Sequence, residues 1–282
     1  MRETVIAIIG AGELGGSLAH ALARADVARV IRLVDETGRV AEGKALDITQ
    51  AAAVEGFATE LSGSTDISAA CGANVLLIAD RAGLGEWQGD DGAHLLAQLS
   101  RTGRDSIIIC AGATQADLVD RGVRALGVHR HRLFGSAPEA LVAGARSLVA
   151  LSLNGSPRDV SLSALGLPPA HTVIPWEEAT IGGLAVTRLI SEPAKRQLRS
   201  RIAALWPPGP YALAAAAAKV TATVITGSRQ LSSCFVGPDL SAGVRSRTTA
   251  LPVRLGPVGI AEIVLPSLSV AERVALDNAM QA

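Results

Sequence analysis

Lysine is nearly missing from this chain: only Lys44, Lys195 and Lys219 among its 26 basic residues are lysine, the rest being arginine. The bias reads as codon composition rather than function. Aromatic side chains make up only 2% of the sequence, so the core has to be built from alanine, valine, leucine and isoleucine. There is no excess of charge of either sign, because 26 basic residues meet 26 acidic ones. That balance speaks against a nucleic-acid partner or an anionic membrane surface. No apolar run approaches the length that spans a bilayer. Three cysteines (Cys71, Cys110, Cys234) with no C-x-x-C pair speak against a disulfide framework and a zinc site. The histidines lack partners at metal-ligand spacing, so no metal site is expected. The first apolar strand begins almost at once, which leaves no room for a signal peptide. A soluble cytoplasmic protein is expected.

What is present begins at Val5. Residues 5–9 (VIAII) form a short apolar run suited to a strand buried on both faces. Gly10-Ala11-Gly12-Glu13-Leu14-Gly15 follows, matching G-x-G-x-x-G, then a helical stretch over 13–24 and a second apolar strand over 29–34. Asp35 ends that strand. In this pattern Gly10 permits a tight turn, Gly12 lets a pyrophosphate approach the backbone, and Gly15 lets helix and strand pack closely. The amides of Glu13, Leu14 and Gly15 open the helix, where unpaired N–H groups hold phosphate. Asp35 would accept hydrogen bonds from an adenosine ribose and repel the additional phosphate of NADP, so the expected cofactor is NAD.

Further strands and helices alternate to about residue 135: a helix over 39–53, a strand over 54–61, a strand over 74–79, a loop over 80–92, a strand over 106–110 and a last one over 132–135. Such alternation is the signature of a parallel doubly wound sheet. Beyond Pro138 the pattern turns to α+β, with helices over 139–151, 193–205 and 211–225 and strand candidates at 160–165, 171–174, 234–236, 251–255 and 260–265. Ser269 and Glu272 form a capping box for a final helix. The expected organisation is a dinucleotide-binding Rossmann domain over 1–138 and an α+β domain over 139–282. Five alanines, 214–218, suit close packing of a helix against another helix or subunit.

In order and spacing these features resemble the NAD-dependent lactate/malate dehydrogenase family. The glycine fingerprint and Asp35 fit, and Gly43-Lys-Ala-Leu-Asp-Ile48 is similar to that family's GKALDL helix. Thr180-Ile-Gly-Gly183, residues 251–260 and Ile263-Val-Leu-Pro266 are similar to its later turns and last strands. The resemblance implies a Rossmann fold with an α+β second half, NAD as cofactor and a homodimer or homotetramer.

It also implies a catalytic set, and the matching positions do not carry it. The family protonates its substrate with a His oriented by an Asp, and pairs an Arg with the substrate carboxylate. It polarises the carbonyl with a second Arg on a mobile loop, and holds substrate and nicotinamide with an Asn. Here the polarising Arg falls on Glu86 and that loop's other Arg on Gly92. The orienting Asp falls on Leu141 and the carboxylate-binding Arg on Gly144. The His falls on Pro168 and the Asn on Ala113. Arg81 replaces a glycine expected after the fourth strand, where its bulk could intrude on the path of ribose and pyrophosphate or its side chain could contact the cofactor. Asp80, Glu86, Asp90 and Asp91 make the loop acidic, which disfavours a dicarboxylate.

The expectation is therefore a catalytically degenerate member with the dinucleotide fingerprint retained and no catalytic residue assigned. Two alternatives stand beside it. One is an active NAD-dependent oxidoreductase that uses a repositioned His171 on a non-standard 2-hydroxy or 2-oxo substrate. The other is a scaffold subunit without cofactor.

Overall fold

The computed structural model describes residues 4–242 and 246–281. The first half runs β1 (Val5–Ile9), α1 (Glu13–Ala25), β2 (Val30–Val34), α2 (Val40–Glu55), β3 (Glu60–Ser64) and β4 (Val75–Ile78). A two-stranded hairpin follows, β5 (Asp80–Arg81) and β6 (Gly85–Glu86), then α3 (Gly89–Thr102), β7 (Ile107–Cys110), α4 (Ala116–Arg124) and β8 (Leu133–Gly135). The second half opens with α5 (Ala137–Ser152), β9 (Val160–Ser161), β10 (Leu165–Leu167), β11 (His171–Val173), β12 (Thr180–Ile181) and β13 (Leu184–Ala185). It continues with α6 (Val186–Leu189), α7 (Glu192–Ala203), α8 (Pro210–Thr226), β14 (Leu231–Val236), β15 (Thr249–Gly256), β16 (Gly259–Ile263) and α9 (Val270–Gln281).

Strands β3, β2, β1, β4, β7 and β8 lie side by side in that order, all parallel. This is the doubly wound α/β Rossmann arrangement, whose order reverses between β1 and β4. Burial on both faces follows from the sequence. In β1, Ile6 and Ile8 enter one core while Ala7 and Ile9 enter the other. In β7, Ile107 and Ile109 again part from Ile108 and Cys110. A strand without a polar side can only sit inside a covered sheet. The sheet continues past β8 through the antiparallel strands β14, β15, β10 and β11.

The alanine run lies on α8, where Ala214, Ala216, Ala217 and Ala218 share a buried core with Leu14, Leu18 and Leu22 of α1. Small side chains let the two helices approach within one chain. The capping box forms as its residues dictate: Ser269 N donates to Glu272 Oε2, and Glu272 N donates to Ser269 Oγ.

Two segments differ from the expectation drawn from the sequence. Helix α2 runs to Glu55 and ends where Gly56 takes a left-handed conformation at φ 78°, a common helix stop. The strand expected over 54–61 therefore begins only at Glu60. Its residues, ELSGS, lie at the sheet edge with no apolar run to announce them. The segment expected as a loop over 80–92 is a hairpin followed by the start of α3. Gly83, at φ 75°, lies in its turn, and Gly85, at φ 78°, opens β6 opposite Arg81.

Candidate functional site

In an open α/β sheet, ligands bind outside the carboxyl ends of the strands where the strand order reverses. Here that place is the crevice beyond β1 and β4, and the fingerprint lies in it. Gly10 follows β1 with φ +110°, a backbone that side chains rarely adopt, and its N–H donates to Val34 O at 2.7 Å. Gly15 lies so close beneath the turn that an added Cβ would come within 1.9 Å of Gly10 O. Two of the three glycine roles are thus realised in the backbone.

The third is realised in an unexpected way. A Cβ on Gly12 would meet the carboxylate of Asp80, with its three nearest atoms all on that side chain and Oδ2 at 2.2 Å. Asp80 Oδ1 accepts the N–H of Gly15 at 2.8 Å, and Oδ2 accepts that of Leu14 at 3.2 Å. Its backbone joins in, since Gly12 N donates to Asp80 O at 2.8 Å. The glycine that would admit a phosphate admits Asp80 instead. Glu13, at the first position of α1, is exposed. Lys44 of α2 lies behind the turn and donates to Gly12 O at 2.6 Å.

Asp35 is 3% exposed and fully engaged. Its Oδ2 accepts from Ala11 N at 2.6 Å and Ala82 N at 2.9 Å, and its Oδ1 from Thr37 N at 2.8 Å. Burial alone would push this carboxyl up; the three amides outweigh it and hold Asp35 below the usual carboxylate range. Ala82 belongs to the turn between β5 and β6, so one acceptor expected to face ribose faces the hairpin.

Arg81 does not fill the crevice. Its guanidinium lies over the Trp87 ring, 4.4 Å from the centroid, and pairs with Asp91 at 3.4 Å. Both side chains line a cavity of about 490 Å³ on the adenosine side, together with Asp35, Glu36, Asp66 and His94. The loop acids do not form an open negative lid either. Asp90 pairs with Arg121 at 3.1 Å and Asp91 with Arg81, while Asp80 and Glu86 point inward onto amides.

Glu86 reaches the turn after β7. Its carboxylate accepts from Ala113 N and Thr114 N, both at 2.9 Å, and from Thr114 Oγ1 at 2.5 Å. The neighbouring Cys110 is fully buried. Desolvation first, and the Glu86 charge second, push its thiol far up. Cys234 is raised by burial and by Glu139, with Lys219 opposing. Cys71 alone is exposed. A thiol-titrating disulfide should therefore modify one cysteine in the folded chain, Cys71, and three after denaturation; rapid labelling of Cys110 in the native state would contradict this placement.

The remaining positions of the resemblance lie in packed surroundings. Leu141 is 1% exposed in the core of the second half, and a Cβ on Gly144 would sit 2.7 Å from Leu205 Cδ1. Pro168 is buried between β10 and β11, and Gly92 is buried in α3 beside Trp87. His171 is exposed on β11, at the end of the sheet, with six strands between β11 and β1 in the strand order. The fold does not bring it to the fingerprint. Among the described residues no cluster of histidine, cysteine and acidic side chains suits a metal ion, and no helix is long and apolar enough to cross a membrane.

The two helix amides that would hold pyrophosphate are engaged, and the space over Gly12 is filled by a group of the same charge sign as phosphate. The residue missed in the sequence is Asp80. The available signal was an acid immediately after the strand that neighbours β1, where the two carboxyl ends abut.

Residues 4–101 match the family model described as lactate/malate dehydrogenase, NAD binding domain. The chain is similar to the malate dehydrogenase of Dehalococcoides mccartyi (strain CBDB1), at 30% identity over 293 residues covering 96% of this chain and 94% of that one. It is similar also to that of Rhodopirellula baltica, at 28% identity over 304 residues covering 100% and 96%. Among solved structures, malate dehydrogenase from Salinibacter ruber superposes with a TM-score of 0.88 at 25% identity, covering 98% of this chain and 94% of that one.

Proposed function

Because the chain belongs to the lactate/malate dehydrogenase family, we propose that it is a catalytically degenerate member, one that has lost 2-hydroxy acid dehydrogenase chemistry and acts through binding or assembly. The observation that carries this reading is the Glu86 carboxylate on the amides of Ala113 and Thr114. In the resemblance those two positions, 86 and 113, would carry the polarising arginine and the asparagine that holds substrate and nicotinamide. Polarising a developing oxyanion requires a donor or a cation aimed at it. A carboxylate there has the wrong sign, and its own acceptors consume the local donors. Leu141, Gly144 and Pro168 supply neither a proton nor a carboxylate partner.

His171, the substitute acid the sequence offered, is exposed on an edge strand with six strands between it and β1 in the strand order. The dinucleotide for which the fingerprint is shaped is NAD rather than NADP. Asp35, Glu36 and Asp66 line the cavity where an extra phosphate would have to sit. A cytoplasmic homodimer or homotetramer fits the exposed apolar side chains Leu46 and Val54 of α2 and Tyr211 of α8, which are 61%, 89% and 80% exposed. A surface that brings such side chains together would suit an interface between copies.

The test is a spectrophotometric screen of L-malate, oxaloacetate, lactate and pyruvate with NAD(H). The expected result is no turnover above the protein-free rate. Steady turnover of any of the four, removed by Glu86→Ala or His171→Ala, would overturn the reading.

A further inference from the structure

We infer that the segment Asp80–Glu86 is an internal ligand of the chain's own dinucleotide crevice, standing in for pyrophosphate and ribose contacts and excluding a dinucleotide until it leaves. This goes beyond the loss of the reaction, because a chain can lose its catalytic residues and still keep an open cofactor seat.

Three contacts support it, two from the hairpin's carboxylates and one from its backbone. Asp80 places one carboxylate oxygen on each of two free amides at the start of α1. A helix N-terminus favours that charge for the same reason it favours phosphate. Ala82 N–H donates to Asp35 Oδ2, where a ribose hydroxyl would donate. Glu86 takes the amides beyond β7, one strand further along the crevice. The hairpin thus follows the row of strand ends along which a dinucleotide would lie.

The pairing of β5 with β6 delivers the two carboxylates as a unit. Asp80 and Glu86 are register partners. Directly opposite like charges destabilise a hairpin. This one persists because each carboxylate finds its own pair of amides in the crevice. The glycines complete the fit: Gly12 leaves the space the Asp80 side chain fills, and Gly83 in the turn and Gly85 at the start of β6 take the left-handed backbone the tight hairpin needs.

A competitor within the same chain reduces apparent affinity by the fraction of molecules in which it is displaced. The test is fluorescence titration of the full-length protein and its Asp80→Ala and Asp80→Asn variants with NADH. Asp80→Ala should bind NADH at least about tenfold more tightly than the unmodified chain. Asp80→Asn, which keeps one acceptor oxygen and loses the charge, should fall between them. Equal affinity of all three, or binding in none, would overturn the inference.

A second measurement needs no nucleotide. Gly12→Ala should lower the melting temperature in the unmodified chain, because the new Cβ evicts the carboxylate. In the Asp80→Ala background, where all three of its nearest atoms are gone, it should lower it little. Equal losses in both backgrounds would contradict the contact. Failure here leaves the degenerate reading standing, since that reading rests on turnover and not on nucleotide affinity.

Discussion

Gly15→Ala is expected to destabilise the chain by about 3 kcal/mol or more, because an overpacked site must displace backbone rather than a side chain. The added Cβ would lie 1.9 Å from Gly10 O and 2.8 Å from Gly10 C. Nothing there is the flexible end of a side chain that can swing aside. Either β1 and α1 move apart, exposing the core that Ile8 and Leu18 share, or the glycine turn itself deforms. For a chain of this size the loss corresponds to a fall of roughly 6 °C or more in melting temperature. Gly43→Ala is the internal control. It lies in α2 with nothing within 4 Å of its Cβ position, and replacing a helical glycine by alanine should stabilise by about 0.5–1 kcal/mol. Thermal melts of the two variants read both signs. A Gly15→Ala variant as stable as the unmodified chain would mean that the turn does not pack against α1 as described.

Asp35→Asn is expected to cost about 2–3 kcal/mol at neutral pH, since hydrogen bonds to a buried charged acceptor are worth more than neutral ones. Asn keeps the shape but offers one acceptor oxygen, and it turns an NH₂ group toward amides that are themselves donors. Ala11 N–H, completely buried, has no water to fall back on. The pH dependence identifies the cause. Asp35 titrates below its ordinary value of 3.8 in the folded chain, held there by the amides of Ala11, Ala82 and Thr37 against the opposing effect of burial. A group depressed on folding adds stability above its unfolded pKa and loses it as pH falls through the folded one. The gap between the two proteins should therefore be full at pH 7 and shrink below about pH 4, as the aspartate takes up its proton. Denaturant melts across that range check it. A gap independent of pH would assign the loss to packing rather than to the charge.

The sequence disclosed most of the parallel sheet because its strands are buried on both faces and so consist of little but apolar residues. VIAII, VLLI and IIIC need no context to be read as strands. The glycine turn was legible for a different reason: Gly10 and Gly15 face backbone at distances that no side chain tolerates. The edge strand β3 was placed too early, since ELSGS carries no pattern of its own and takes its conformation from pairing with β2.

Asp80 was legible as an acid but not as a ligand. Four acids occupy residues 80–91, and composition treats them alike. What separates them is tertiary: the turn at Gly83, the left-handed Gly85 at the start of β6 and the register of Asp80 with Glu86 aim these two carboxylates inward. Asp90 and Asp91 stand on the solvent side in α3, 90% and 69% exposed. From the sequence, Arg81 could be either an obstacle to a dinucleotide or a contact with it. Stacked on Trp87, it leaves the first role to its neighbour.

The most direct measurement is a crystal structure of the unmodified protein grown in millimolar NAD. The expected result is the Asp80 carboxylate on the amides of Leu14 and Gly15, Ala82 N–H on Asp35, and no dinucleotide in the crevice. A dinucleotide seated in the crevice while the Asp80 carboxylate stays on the amides of Leu14 and Gly15 would contradict it.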